Sequence, residues 1–357
     1  MRQVELTIDV SNALDLGEPA HIAVSLVLPD PARLQRPPVL CFAKPSGAYS
    51  RGYYTCDLPG PEAAAGTGSQ AAWHAARGWI FAALDTLGCG ASSRHDPDWL
   101  DFAALSAAAA TAEREIALRL ANGVLADGFP PVHQPVVIGI GQSAGGSLVI
   151  YQQAHHRSYD GIAILGFSAV HSHPATPPGS APVMVAWYAR DTPPGGAPDP
   201  LNAAALDAAI AGGAADESAW QSLAWGFHYD DVPVEVVEQN LLHYEAISQG
   251  LPSPEDPDPA PWKSATTPQR VARSTLTPGI VATEAASVAV PVLCAMGERD
   301  LVPDPLGEPR AFRMAPSVDV FVCPRLGHMH NFGGTRALFW ERIHAFGEWC
   351  GVVKRVG

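Results

Sequence analysis

Apolar segments recur along the chain at spacings that predict an alternation of strands and helices. The first ten residues alternate polar and apolar positions, and the two early segments Val4–Val10 and His21–Leu28 are predicted as strands of an antiparallel opening pair. The later strand-like segments are shorter and almost continuously apolar: Val39–Ala43, Ile80–Leu84, Val136–Ile140, Ile162–Leu165, Val290–Met296 and Val318–Cys323. Because strands buried on both faces read as uninterrupted apolar runs, this pattern favours an α/β fold with a mostly parallel sheet covered by helices on both faces.

Helical spacing of apolar residues fills most of the intervals between these strands. The predicted helices of this kind are Gln70–Arg77, Leu100–Ala121, Ala144–Ala154 and a closing helix near Thr335–Trp349. Between about residues 169 and 288 the alternation stops, and proline-rich loops separate two helical pieces, Leu201–Ala211 and Val234–Ser248. We therefore predict a core domain made of residues 1–168 and 289–357, with an inserted, mainly helical cap at 169–288.

A serine among glycines stands at the junction of a predicted strand and a predicted helix. The segment Gly141-Gln-Ser-Ala-Gly145 has the form Gly-x-Ser-x-Gly. A turn sharp enough to present a serine hydroxyl above a sheet needs small residues two positions before and after it. We interpret Ser143 as a nucleophile. The alternative is a glycine-rich phosphate turn, but its spacing departs from the dinucleotide fingerprint and no ribose-binding acid follows about 20 residues later.

A serine hydroxyl is a weak nucleophile until a base takes its proton and an acid orients that base. Asp300 ends a Gly-Glu-Arg-Asp turn after one predicted strand, and His328 follows the next strand in Arg-Leu-Gly-His. Both residues lie beyond the carboxyl ends of parallel strands, on the same edge of the sheet as Ser143. The alternatives that stay open are Glu298 and Asp304 for the acid, and His330 for the base.

The chain order of serine, aspartate and histidine resembles that of the α/β-hydrolases. The Gly-x-Ser-x-Gly turn, the Gly-Glu-Arg-Asp turn, the Gly-His before the closing helix and the segment Asp85–Ser93 carry this resemblance, over residues 20–168 and 289–350. It implies the α/β-hydrolase fold and a serine hydrolase that acts through Ser143, His328 and Asp300. An acyl-enzyme would form on the serine, and neither a cofactor nor a metal would be required.

Two backbone amides are expected to bind the oxyanion that forms during such a reaction. Ala144, directly after the nucleophile, would supply one amide. The other would come from the loop after Val39–Ala43, which reads Lys-Pro-Ser-Gly-Ala-Tyr where the family usually has His-Gly. Proline has no N–H, so Gly47 or Ser46 is the expected donor. The residues expected to line the substrate pocket are Tyr49, Gln142, Trp187, Trp225 and His330.

Composition and charge narrow the range of partners. The chain of 357 residues is 47% hydrophobic and carries a formal net charge of −14, without a local run of Lys or Arg. This charge repels phosphate backbones and anionic lipid surfaces, so neither nucleic acid nor a membrane is expected as a partner. The amino-terminal segment lacks the apolar centre of a signal peptide, and the six cysteines form no CxxC pair. These features predict a cytoplasmic protein, for which a homodimer stays open.

The expected substrate is a small, largely apolar carboxylic ester or lactone, because aromatic residues are frequent in the predicted cap. Two kinds of alternative stay open. The same triad could hydrolyse a thioester, an amide or a carbon–carbon bond, or support cofactor-free haloperoxidase chemistry. The altered oxyanion loop also leaves open a ligand-binding protein that retains this fold without turnover.

Overall fold

The computed structural model describes residues 1–180, 183–190, 192–193, 195–200, 202–204, 223–248 and 260–356. Its centre is an eight-stranded sheet in the order β1-β2-β4-β3-β5-β6-β7-β8. The strands are β1 (Arg2–Asp9), β2 (His21–Leu28), β3 (Val39–Lys44), β4 (Ile80–Leu84), β5 (Val136–Gln142), β6 (Gly161–Leu165), β7 (Val292–Gly297) and β8 (Val318–Cys323). β2 is antiparallel to β1 and β4, and the other neighbouring strands are parallel. The carboxyl ends of β3 to β8 therefore share one edge.

Helices connect the strands and cover both faces of the sheet. They are α1 (Gly52–Thr55), α2 (Pro61–Ala64), α3 (Gln70–Ala76), α4 (Phe102–Ala121), α5 (Ala144–His156), α6 (Val234–Ser248), α7 (Gln269–Ser274), α8 (Ala282–Ser287) and α9 (Arg336–Val356). Residues 202–204 and 223–227 are also helical. None of the helices in the described part of the chain combines the length and apolar character that a membrane crossing requires.

The predicted fold class is confirmed: the sheet is mostly parallel and helices lie on both of its faces. The short helices α1, α2, α7 and α8 were absent from the sequence prediction, because one or two turns are too short to show a helical period. Most of the predicted helix Leu201–Ala211 lies outside the described residues. The described part of the insertion between β6 and β7 is helical and irregular, while the domain boundaries at 168 and 289 stay predictions.

Alternating side chains along each central strand divide the core into two apolar layers. Along β6, Ile162 and Ile164 belong to one buried cluster, whereas Ala163 and Leu165 belong to the other, because successive side chains of a strand point to opposite faces. Helices α4 and α5 contribute to the first cluster and α3 and α9 to the second. Both faces of the central strands are therefore buried away from water, which explains their uninterrupted apolar sequence.

Two histidines are buried where α3 and α9 pack on the sheet. Nδ1 of His74 lies 3.3 Å from Nδ1 of His344, and their rings are stacked at 5.6 Å between centroids. Trp79 stacks on both rings. Burial, reinforced by nearby positive charge, holds the pKa of His74 well below its ordinary value and lowers the pKa of His344 to about 4. Both rings are therefore neutral in the folded protein at neutral pH.

We expect the free energy of unfolding to decrease as the pH falls from about 6.5, the ordinary pKa of histidine, towards the lowered values. In this window the unfolded chain binds protons that the folded chain excludes, so each histidine removes up to about 1.4 kcal/mol of stability per pH unit. Urea unfolding at pH 7 and pH 5 measures the effect. His344→Phe, which keeps an aromatic ring, is expected to reduce the slope; equal stability of the wild type at both pH values would contradict the prediction.

Candidate active site

Ser143 occupies the sharp turn between β5 and α5. Its backbone has φ +54° and ψ −122°, a region that residues other than glycine rarely adopt. The amide of Ser143 donates to the carbonyl of Leu165 at 2.8 Å, and its carbonyl accepts from the amide of Gly146 at 2.7 Å. These two hydrogen bonds hold the strained turn between β6 and the first turn of α5, as the glycine pattern predicted.

The glycines on either side of Ser143 are required by close approaches of the backbone. A Cβ on Gly141 would lie 2.2 Å from the carbonyl oxygen of Gly145, and a Cβ on Gly145 would lie 2.4 Å from that of Lys44. No side chain fits at these distances without moving the main chain. The turn therefore packs directly on the end of β3, from which the predicted oxyanion loop departs.

The carboxylate of Asp300 receives four hydrogen bonds just after β7. Oδ1 lies 2.7 Å from Nδ1 of His328 and accepts from the amide of Leu301 at 2.7 Å. Oδ2 lies 2.7 Å from Nε2 of His330 and accepts from the amide of Gly297 at 2.7 Å. Burial alone would raise the pKa of Asp300, but attraction to the two histidines and these hydrogen bonds outweigh it and hold the pKa below its ordinary value. Asp300 is therefore ionised.

An ionised Asp300 determines where the ring protons of His328 lie. Because the carboxylate only accepts hydrogen bonds, Nδ1 of His328 carries the proton and Nε2 presents a lone pair. The side-chain amide nitrogen of Gln142 lies 3.2 Å from this Nε2 and donates to the carbonyl of His328 at 3.1 Å. The basic nitrogen thus lies beside the residue that precedes Ser143. The imidazole must exchange its contact with Gln142 for the serine hydroxyl before it can accept a proton.

The open alternatives for the acid and the base occupy other positions. Glu298 accepts a hydrogen bond from the amide of Arg325 at 2.8 Å, and Asp304 accepts from the amide of Gly307 at 3.1 Å. Each of these carboxylates therefore stabilises a turn. His330 contacts Asp300, but its ring packs on Phe339 of α9 at 4.2 Å between centroids. This geometry favours Asp300 and His328 for the two roles.

The predicted oxyanion donors lie next to the serine turn. Ala144 is the first residue of α5, so its amide has no acceptor within the helix. A Cβ on Gly47 would lie 3.7 Å from the Cβ of Ala144, and the carbonyl of Ser46 accepts from the amide of Tyr49 at 3.2 Å, closing a turn. A narrow pocket runs between the two segments, lined by Ser46, Gly47, Ala144, Leu105, Leu148, Thr267, Val271 and others.

The five residues predicted for the substrate pocket lie in different surroundings. Gln142 and His330 contact the Asp300–His328 pair. The hydroxyl of Tyr49 donates to Asn240 of α6, so this side chain joins the core to the insertion. The ring of Trp225 packs under the guanidinium of Arg299 at 4.5 Å, and Trp187 faces the ring of His171 at 5.9 Å. Among the described residues, neither tryptophan has a ring contact with the imidazole of His328.

A segment of the insertion covers the loop that carries His328. The amide of His328 donates to the carbonyl of Gly226 at 2.9 Å, and the amide of Met329 donates to that of Phe227 at 2.9 Å. The ring of Phe227 lies 4.9 Å from the imidazole of His328. These contacts bury the imidazole. They are made mainly by the backbone, which explains why the sequence carried no signal for them.

Similarity to known proteins is found in the three-dimensional structure and not in the sequence. The sequence matches no protein-family model and no curated protein. A proline iminopeptidase from Mycobacterium smegmatis is similar over 98% of this chain and all of its own, with a TM-score of 0.56 and 16% identity. A bromoperoxidase from Bacillus anthracis (TM-score 0.53, 14% identity) covers 96% of this chain and 99% of its own, and a malate-bound thermophilic esterase from Thermogutta terrifontis (0.53, 13%) covers 98% and 99%.

The chain has the α/β-hydrolase fold. The expectation drawn from the motifs is thereby confirmed for the fold. At these sequence identities, structural similarity does not indicate the substrate. The three similar proteins are themselves named for different activities.

A buried ion pair beneath the serine turn of this α/β-hydrolase fold was missed by the sequence analysis. Nζ of Lys44, at the end of β3, pairs with Glu113 of α4 and donates to the hydroxyl of Tyr159 at 2.6 Å. Gln152 donates to the other oxygen of Glu113 at 2.6 Å. Since Gly145 packs on the carbonyl of Lys44, the ion pair holds the residue on which the turn rests. The pair joins residues far apart in sequence, so no local motif marks it.

We expect Glu113→Ala to lower the free energy of unfolding by about 3–5 kcal/mol, because it leaves the charge of Lys44 buried without its partner. The matched control is the double variant Lys44→Met/Glu113→Leu, which removes both charges and is expected to be clearly more stable than the single variant. Urea unfolding at constant pH measures both. Equal losses for the single and the double variant would contradict this account of the pair.

Asp300, His328 and His330 also form a group whose potential metal-ligating atoms lie within 4.8 Å of one another, the one such group in the described residues. Both nitrogen–oxygen distances are 2.7 Å, which is a hydrogen-bond length. A tetrahedral zinc site holds neighbouring ligand atoms about 3.3 Å apart. The geometry therefore indicates ring protons between these atoms and does not fit a metal.

We expect treatment with EDTA to leave any labelling of Ser143 by a fluorophosphonate unchanged, because the oxygens of Asp300 are hydrogen-bonded to the two imidazoles at 2.7 Å. The rate of labelling by a fluorophosphonate, before and after chelation, measures this. A treated sample to which Zn²⁺ is returned serves as the control. Loss of labelling that zinc restores would show that the three side chains hold a metal.

Proposed function

We propose that the protein is a serine hydrolase that cleaves a carboxylic ester or lactone of a small, largely apolar substrate. The observation that carries the proposal is the strained turn of Ser143 beside an imidazole whose Nδ1 proton is held by an ionised carboxylate. With its proton held on Nδ1 by the carboxylate, the neutral form of this imidazole would offer the lone pair of Nε2, which a general base requires. Ser143, His328 and Asp300 would act as nucleophile, base and orienting acid.

The reaction would begin when the hydroxyl oxygen of Ser143 attacks the carbonyl carbon and its proton passes to Nε2 of His328. The oxyanion would be bound by the amide of Ala144 and that of Gly47 or Ser46. His328 would then return the proton to the leaving alkoxide, which departs as an alcohol and leaves an acyl-enzyme. Attack of a water on the acyl group, with its proton taken by the same imidazole, would release the carboxylic acid and restore the serine.

The narrow pocket beside Gly47 and Ala144 adjoins the proposed oxyanion donors, although Ser143 does not line it, and its walls favour a small apolar group. Leu105, Leu148 and Val271 supply apolar walls there, and the net charge of −14 disfavours polyanionic substrates. The solved structures with this fold include an esterase, alongside a peptidase and a bromoperoxidase. Thioester, amide and carbon–carbon bond hydrolysis and haloperoxidase activity are the competing reactions on the same triad, and matched substrates distinguish them.

We expect a fluorophosphonate probe to label the wild-type protein and p-nitrophenyl esters of short acids to be hydrolysed. Ser143→Ala removes the nucleophile, so labelling should vanish and kcat should fall by about 10⁴-fold or more. A series of p-nitrophenyl esters of increasing chain length would measure the size of the acyl pocket, with the highest kcat/KM expected for the shortest acids.

The matched control is Ser147→Ala, four positions further along α5. The hydroxyl of Ser147 is buried and donates to the carbonyl of Ala144 at 2.7 Å, so this variant should keep the label. Absence of labelling in a folded wild-type protein would reject the hydrolase proposal and favour the ligand-binding alternative. Turnover of an amide or thioester in preference to every ester tested would reject the substrate class.

A further inference from the structure

Asp300 is shared by two histidines, of which the proposed mechanism uses one. His328 contacts Oδ1 and His330 contacts Oδ2, both at 2.7 Å. Because an ionised carboxylate only accepts, Nε2 of His330 carries the proton, and the neutral ring leaves Nδ1 unprotonated. His330 is thus a neutral donor to the far oxygen of the carboxylate that orients the proposed base.

Burial of His330 is unfavourable in itself. Its Nδ1 is buried and has no hydrogen-bond partner among the residues that the structure describes, and a buried acceptor without a partner destabilises a protein. The ring packs on Phe339 in an apolar cluster, where a leucine would be buried without that penalty. The feature that distinguishes histidine from leucine at this position is the hydrogen bond to Asp300.

The backbone next to His330 is held by hydrogen bonds of its neighbour Asn331, none of which involves Asp300. The amide of Asn331 donates to the hydroxyl of Tyr53 at 3.1 Å, and its side-chain nitrogen donates to the carbonyl of Tyr53 at 2.9 Å. The indole of Trp340 donates to the side-chain oxygen of Asn331 at 2.8 Å. Three hydrogen bonds therefore fix the turn, so a substitution of His330 can be expected to leave the loop in place.

We propose that His330 is a positioning residue that holds Oδ1 of Asp300 on His328 and lowers the basicity of the His328 imidazole. This inference rests on the proposed function of Asp300 and His328. A donor on Oδ2 withdraws negative charge from the carboxylate, so that the imidazolium form of His328 is stabilised less. His328 then remains unprotonated, and able to act as a base, at a lower pH than with a singly paired aspartate.

Other groups face this cluster from the elements packed around it. Tyr53 of α1 interacts with the charge of Asp300, and burial together with this interaction raises the pKa of its hydroxyl above the ordinary value. His228 of the insertion is close enough to interact with His328, and burial, followed by that interaction, lowers the pKa of His228 to about 3. Gln142 is uncharged. At neutral pH these groups are neutral, so they do not titrate in the range of the test.

The test compares His330→Leu with His330→Gln. Leucine removes the donor, whereas glutamine carries an amide nitrogen at the same number of bonds from Cα as Nε2 of histidine. For leucine we expect the acidic limb of the kcat/KM pH profile to move to higher pH by about half to one unit, with a loss of about threefold to tenfold well below the limb's midpoint, on the scale of one hydrogen bond. Glutamine should restore both values to near those of the wild type. Thermal unfolding followed by circular dichroism checks that both variants fold.

A measurement that does not need turnover separates this proposal from the proposed function. In the Ser143→Ala background, NMR titration of the ¹⁵N-labelled histidine rings follows the protonation of His328 with and without His330→Leu. A shift to higher pH on loss of His330 supports the proposal, even where the wild type hydrolyses no ester and the proposed function is rejected. Equal titration in both proteins would overturn it, as would equal behaviour of the leucine and glutamine variants. Complete loss of fluorophosphonate labelling in a folded His330→Leu protein would also overturn it, because His330 would then be the base.

Discussion

The contact between the serine turn and the end of β3 is the constraint on which the proposed site depends. Gly145 lies against the carbonyl of Lys44 at a distance that admits no side chain, and β3 and β5 are parallel neighbours, with Lys44 opposite Gly141. This approach brings the amide of Ala144 next to the loop of Gly47. This backbone contact therefore brings the proposed nucleophile and the proposed oxyanion donors together, and the ion pair of Lys44 with Glu113 fixes the end of β3.

The charge of Asp300 and its hydrogen bonds determine the surroundings of the proposed base. The proposed base lies in a region where burial opposes charge, and the ionised carboxylate of Asp300 is stabilised there by two backbone amides and two imidazoles. If the carboxylate of Asp300 were hydrogen-bonded to His328 alone, more of its negative charge would act on that imidazole and make it more basic. Sharing the carboxylate between two rings moderates this effect, and the hydrogen bonds of Asn331 to Tyr53 hold the turn that carries the second ring.

The sequence was informative where one residue and its immediate neighbours determine the structure. The central strands were predicted to within a few residues because both of their faces are buried, and Gly141 and Gly145 indicated the turn because their constraint is steric and local. The ion pair of Lys44 with Glu113 and the backbone contacts of Gly226 and Phe227 with the histidine loop escaped prediction. They depend on tertiary packing between distant segments, for which neither periodicity nor spacing gives a sign.

The position of the insertion has a consequence for access to the serine. The segment of Gly226 and Phe227 is hydrogen-bonded to the loop of His328, and the imidazole is buried beneath the Phe227 ring. Nε2 of His328 also contacts Gln142, so in the proposed reaction the imidazole would have to turn from Gln142 towards Ser143, and its loop is hydrogen-bonded to the insertion. In the proposed reaction, these two backbone hydrogen bonds would link the position of the insertion to the position of the imidazole.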